Sequence, residues 1–209
     1  MQYLKDDIKY RIQEAALAEF RAMGYNDASM RKIAKNAHVA IGNVYHYYEN
    51  KQELFNALVG SVYETLMFSL GEINQIDAKE AVEYKFLKEP DDENYYGINL
   101  MVGKLLEICK DHNTELLILM EKSKGVHNRY ENTKQDLISL LDEVLREKML
   151  PNLVESGKKI GNLYITFILS TAFIEGFCSI LRKYENGAEV KTLVDQMIKI
   201  FFKDIDSRF

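Results

Sequence analysis

The chain has 209 residues, 47% hydrophobic and 28% charged, with a formal net charge of −5. That length supports a substantial buried core, while two prolines, no tryptophan and no alternating β-branched runs argue against a β-rich fold. Cys109 and Cys178 fall in no zinc or redox spacing, which fits a reducing cytoplasm, and the opening MQYLKDDIKY carries acids where a secretory signal needs an apolar core.

In chain order, Ile8, Ile12, Ala16 and Phe20 recur at four-residue steps, with Ala15 and Met23 beside them. This is one buried face of a helix, and Gly24 is its natural stop. Ser29 offers a hydroxyl N-cap to a second helix from Met30, whose Ile33, Ala34 and Ala37 face inward. Ala34 is small enough to let two helices cross closely. Val39 anchors a turn, and a third helix of about two turns runs from Ala40 to Tyr47. Its Val44 and the following Tyr48 point to the core and leave Ala40, Ile41, Asn43, His46 and Tyr47 outside. Lys51 opens a fourth helix, seated by Leu54, Phe55 and Leu58 and extending to about Leu70. Two short helices around a tight turn are how a protein lays one small helix in a DNA major groove.

Charge supports that reading. Between Ser29 and Lys51 the cations Arg31, Lys32, Lys35 and Lys51 face a single acid, Glu49, a local balance of +3. Residues 1–55 sum to +1 and the rest of the chain to −6. A patch charged against its own protein attracts phosphate, while the acidic remainder is repelled by DNA and faces away from it.

Beyond Leu70 the pattern is less regular. A helix from Ala78 to Lys88 ends at Pro90 and the acidic run Asp91-Asp92-Glu93, and the stretch from Gly71 to Gly97 reads as a connection or a lid. Helical spacing returns over Ile98–Asp111, Thr114–Lys122 and Asn128–Met149, the last stopped by Pro151. Two further helices follow, about Lys159–Tyr184 and Ala188–Ile205. The first is apolar nearly all round, so it is expected to be buried on every side, with a subunit interface adding cover that one small domain lacks. Its longest apolar run, Leu163 to Ile174, reads as too short to span a bilayer. Ile168, Phe173, Phe177, Val194, Met197 and Phe201 are the candidate interface residues, burial within one chain being the alternative.

Helical domains take small ligands between helices, in mostly apolar cavities. Met67, Phe68, Met101, Leu105, Met120, Tyr130 and Phe167 are candidate wall residues, with Tyr95, Tyr96 and His127 as polar additions. Each is also an ordinary core residue by spacing alone. Cys109 and His112 lack a further ligand, and no nucleophile, base and orienting group come together, so no metal, cofactor or catalysis is expected.

Gly24-Tyr25, Ser29-Met30-Arg31, Ile33-Ala34, Ala37, Val39, Gly42, Tyr45, Tyr47-Tyr48 and Lys51 through Leu54-Phe55 stand in a joint spacing more specific than a generic helix-turn-helix. The pattern resembles the N-terminal DNA-binding domain of TetR/AcrR-type transcriptional repressors. The resemblance implies an all-α protein: an N-terminal helix-turn-helix domain of three helices over 1–55, and a larger helical ligand-binding and dimerisation domain over 56–209. It further implies a homodimer on a palindromic operator of double-stranded DNA, released by a small-molecule effector that the sequence does not identify.

Roles carry over position by position. Ser29 would meet phosphate and Arg31 would reach a base edge. Ala40, Ile41 and Asn43 would form the front of the recognition helix, with His46 beside them. Tyr45, Tyr47 and Lys51 would grip backbone phosphates. Two positions depart from the pattern: His38 stands where glycine is usual, which implies an altered turn, and Ala40 stands where Ser or Thr is frequent. The rival reading is a helical small-molecule-binding protein, or an enzyme on the same scaffold, that no longer meets DNA. The basic face between Ser29 and Lys51 favours the repressor.

Overall fold

The computed structural model describes residues 2–75, 96–149, 154 and 162–202. Their order is α1 (Gln2–Asp27), α2 (Met30–Asn36), α3 (Ile41–Tyr47), α4 (Lys51–Gln75), α5 (Tyr96–Glu121), α6 (Thr133–Val144, continued by a π turn, Leu145–Met149), α7 (Tyr164–Lys183) and α8 (Gly187–Phe202). No strand occurs among the described residues, so the expected all-α class holds. The expected helix from Ala78 to Lys88, and Tyr95, lie outside the described residues, as does the side chain of Tyr96.

The chain divides into two compact units, one of Met1–Glu64 with Thr114–Thr133, the other of Thr65–Asn113 with Lys134–Phe209. In the first, the four-residue spacing of α1 produces its core: Ile12, Ala16 and Phe20 are fully buried, while Met23 is 45% exposed and off that face. Gly24 takes a φ of 75°, breaking the helix where glycine alone is unstrained. Phe20 and Tyr25 stack at 6.2 Å, and Phe55 of α4 meets both edge-on at 5.1 and 5.2 Å. Edge-to-face geometry of this kind adds about 0.5–1.5 kcal/mol per pair beyond burial. Tyr130 extends the cluster, with its ring 4.9 Å from that of Tyr63.

The segment 122–131 completes this unit. The Tyr25 N–H donates to the Lys122 carbonyl at 2.8 Å. Gly125, at φ 87°, leaves room for the Asn26 side chain where a Cβ would stand. Its N–H donates to Glu131 Oε1 at 2.8 Å, and Arg129 pairs with Glu64 while lying over the Tyr63 ring. These turns replace the expected helical start at Asn128, and α6 begins only at Thr133.

The two helices expected over Ile98–Asp111 and Thr114–Lys122 are one element, α5, interrupted at His112 with φ −135° and ψ 35°. Helices α7 and α8 pack together through Phe173, Phe177, Ile174, Val190 and Val194, all fully buried. Met197 sulfur sits where a Cβ on Gly176 would be, 2.7 Å away, so glycine sets the closeness of this crossing. By length and composition α7 is the one helix among the described residues long and apolar enough to cross a membrane, a test that a core helix also passes. Two of its polar groups are tied to protein: Thr166 donates to Asp142 at 2.5 Å, and Glu175 pairs with Lys134.

Candidate nucleic-acid interface

Helix α2 is positioned from α1. Glu19, only 3% exposed, accepts the Ser29 N–H at 3.3 Å through one oxygen and pairs with Lys32 at 3.0 Å through the other. Ser29 is the N-cap residue, but its hydroxyl makes no capping bond, which corrects the expected cap. The buried carboxylate takes over because it faces the start of α2, where anions are favoured. At the other end Arg11 donates to the Ala37 carbonyl at 3.2 Å, satisfying an orphan acceptor of the last turn.

The turn follows the sequence closely. His38 adopts φ 55°, the left-handed conformation expected at a position where the resembling family has glycine. Its N–H donates to Lys35 O at 3.1 Å, and the Val39 N–H closes back on Ala34 O at 3.0 Å. With Ala34 3% exposed and Ala37 2% exposed beneath, α2 and α3 pack closely.

Helix α3 then presents two unlike faces. Val44 is fully buried and Tyr48 is 4% exposed, so the recognition-type helix is anchored through its inner side. Outward stand Ala40 as N-cap residue, then Ile41, Gly42, Asn43, Tyr45 and His46, all exposed. Tyr47 is half-buried, with its ring 5.5 Å from that of His46. Arg31 and Lys35 are exposed on α2. The structure thus gathers Arg31, Ala40, Ile41, Asn43, Tyr45 and His46 on the exposed surface of the helix-turn-helix.

Lys51 has a different setting. Its ammonium donates to three carbonyls of the α1–α2 corner: Tyr25 at 2.6 Å, Asn26 at 3.0 Å and Ala28 at 3.2 Å. It also lies 4.7 Å from the centre of the Tyr25 ring, and desolvation lowers its pKa. The start of α4 is capped by other residues. Asn50 Oδ1 accepts the Glu53 N–H at 2.8 Å, and the Glu53 carboxylate accepts the Glu49 N–H at 2.5 Å.

The candidate effector-wall residues are divided between the two units. Met101 and Leu105 are fully buried in the second unit, Met67 and Phe167 are half-buried there, and Phe68 is 71% exposed. Met120 and Tyr130 belong to the first unit, where Tyr130 is core for Phe55 and Tyr63, and His127 points largely to solvent. Helical spacing marks a residue as inward without saying which core it enters.

The candidate subunit contact is likewise narrower. Phe173, Phe177 and Val194 are buried between helices of the same chain, and Phe201 packs edge-on against Phe173 at 5.9 Å. Phe173, Phe177 and Val194 are thus spent inside the chain, while Met197 and Phe201 are half-buried. Ile168 is 49% exposed, in line with Tyr164 at 56% and the exposed Ala172 at four-residue steps along α7. A helix apolar all round has two apolar faces, and only one of them is spent inside the chain.

Sequence reasoning missed Glu19, Arg11 and the Asn50–Glu53 cap. Glu19 carried a signal, since it stands four residues after Ala15 and three after Ala16, on the buried stripe.

A family model described as "Bacterial regulatory proteins, tetR family" matches residues 12–58, the span from α1 to the first turns of α4. Among curated proteins, the uncharacterised HTH-type transcriptional regulator YhgD of Bacillus subtilis is 33% identical over 118 residues, 56% of this chain and 54% of its own. This chain thus matches only about half the length of that relative. The HTH-type transcriptional repressor KstR of Mycobacterium tuberculosis is 24% identical over 198 residues, covering 94% of this chain and 81% of its own. A TetR-like transcriptional regulator from Rhodococcus sp. RHA1 shares the fold with a TM-score of 0.59 at 15% identity, over 95% of both chains. A TetR-family regulator from Bordetella parapertussis does so at 0.56 and 14%, over 97% of this chain and 96% of its own. Residues 12–58 thus match the DNA-binding domain of the TetR family of bacterial regulatory proteins, and the chain shares the all-helical fold of TetR-like regulators.

Proposed function

We propose that the protein is a ligand-responsive repressor that binds a palindromic operator as a homodimer and is released by a small-molecule effector. In this reading 1–55 carry DNA binding, and 56–209 carry the effector site and the partner contact. The observation that carries it is the division of α3: Val44 and Tyr48 fix the helix from within, while Ile41, Asn43 and Tyr45 stand outward beside the exposed Arg31. Asn can pair with adenine, Arg with guanine, and an apolar Ile with a thymine methyl, the contacts by which a major groove is read.

The exposed strip of Tyr164, Ile168 and Ala172 on α7 supports pairing of two copies. A two-fold protein places two such helices in adjacent major grooves about 34–36 Å apart, or multiples of that distance. An effector that prefers one state of the dimer shifts DNA binding by its differential affinity, without touching α3.

Gel shifts with DNA flanking the coding gene, over a series of salt concentrations, test this reading. A sequence-selective, salt-sensitive shift at a palindrome is expected. Its absence from every flanking palindrome would favour the small-molecule-binding protein without DNA function.

A further inference from the structure

We propose that Lys51 is a positioning residue that locks the α1–α2 corner through the carbonyls of Tyr25, Asn26 and Ala28, and that it does not contact the phosphate backbone. The proposal deepens the DNA-binding reading by changing which side chains of the head meet the duplex. It runs against the role that family resemblance implies for this position.

A lysine ammonium has three N–H donors and no acceptor. Here three carbonyl oxygens lie within 2.6–3.2 Å of Nζ, one for each proton. Turning toward a phosphate would strip the lysine of these bonds and leave carbonyls at the end of a broken helix without a donor. The Tyr25 ring 4.7 Å away holds the ammonium by its π face as well.

The corner has reason to need such a lock. The chain leaves helical geometry at Gly24, and Tyr25 and Asn26 lie just beyond the break. The other side of the corner is also tied, by the Tyr25 N–H bond to Lys122 O and by Asn26 against Gly125. Three residues after Asn26, Ser29 stands as the N-cap residue of α2. Lys51 therefore fixes where α2 starts, and through α2 where α3 presents its outer face.

Two measurements test this on the full-length protein. In the first, lysines are acetylated in brief pulses and read by mass spectrometry, with and without flanking DNA. Lys51 is expected to react several-fold more slowly than the exposed Lys35 in the free protein, with its protection unchanged by DNA. Reactivity equal to that of Lys35 in the free protein, with protection only in the complex, would overturn the proposal.

In the second, Lys51→Met is compared with the natural chain for thermal midpoint and for the salt dependence of operator binding. The midpoint is expected to fall and affinity to drop, with the slope of log affinity against log salt unchanged. A slope shallower by about one, with an unchanged midpoint, is the mark of a lost phosphate contact and would refute the assignment. If the variant does not fold, the labelling experiment decides alone. If the natural chain binds no DNA, the functional reading fails while labelling of the free protein still tests the lock.

Discussion

Glu19 of α1 reaches α2 twice, holding Lys32 at 3.0 Å and the Ser29 N–H at 3.3 Å, although it is itself almost wholly buried. One carboxylate therefore fixes the entry of the helix-turn-helix and occupies one of its four cations. Glu19→Ala should destabilise the protein by about 1–2 kcal/mol, the scale of a lost cap or a charged hydrogen bond. Lys32 is half-exposed, so most of that cost is expected from the unsatisfied start of α2 and little from the ion pair. Urea unfolding measures it, and an unchanged midpoint would show that the carboxylate plays no structural part.

The two faces of α7 predict opposite outcomes for one kind of substitution. Ile168→Asp puts a charge on an exposed apolar strip, so it should separate a dimer into folded monomers by sedimentation. Phe173→Asp puts the charge into a site with no exposure and should unfold the chain, since an unpaired buried charge costs several kcal/mol. A folded, dimeric Ile168→Asp protein would place the subunit contact elsewhere.

Base reading and backbone grip separate in operator variants. Arg31→Ala should cost about 1–3 kcal/mol and relax preference at one base pair. Tyr45→Phe removes one hydroxyl from an exposed ring and should weaken all operators by a similar factor. Equal weakening of every operator variant by Arg31→Ala would deny it a base contact.

Burial of the Cys109 thiol in α5 pushes its pKa up to about 12 from 9.0. The folded chain keeps this proton where the unfolded chain has released it, so the contribution is complete below pH 9.0 and is lost as pH rises toward 12. Within that window the loss is about 1.4 kcal/mol per pH unit. Cys109→Ala should therefore show a shallower decline of stability at alkaline pH than the natural chain, since the tyrosines titrate in both. Parallel declines would mean that the thiol ionises alike in the folded and unfolded chains.

The head was legible because its signals are local. The i, i+4 stripe of α1, Gly24, the small Ala34 and the left-handed position at His38 each report on neighbours a few residues away. The break in α5 was legible for the same reason, as a lapse in pattern between Asp111 and Thr114. What escaped depends on partners distant in sequence. Spacing marks Tyr130 as inward but not that it joins Phe55 and Tyr63, and hydropathy marks α7 as apolar without dividing Phe173 from Ile168. Lys51 is the clearest case: an isolated lysine at a helix start reads as a phosphate ligand until the carbonyls of residues 25, 26 and 28 are seen around it.

Hydroxyl-radical footprinting of the protein on its flanking DNA tests the central claim most directly. Two protected half-sites are expected on one face of the duplex, with centres about 10–10.5 base pairs apart or a multiple of that spacing. Ile168→Asp should erase the paired pattern at a protein concentration that saturates the natural chain, and Arg31→Ala should move its half-saturation to higher concentration. A single unpaired footprint, or protection that spreads without boundaries and is indifferent to sequence, would contradict the account.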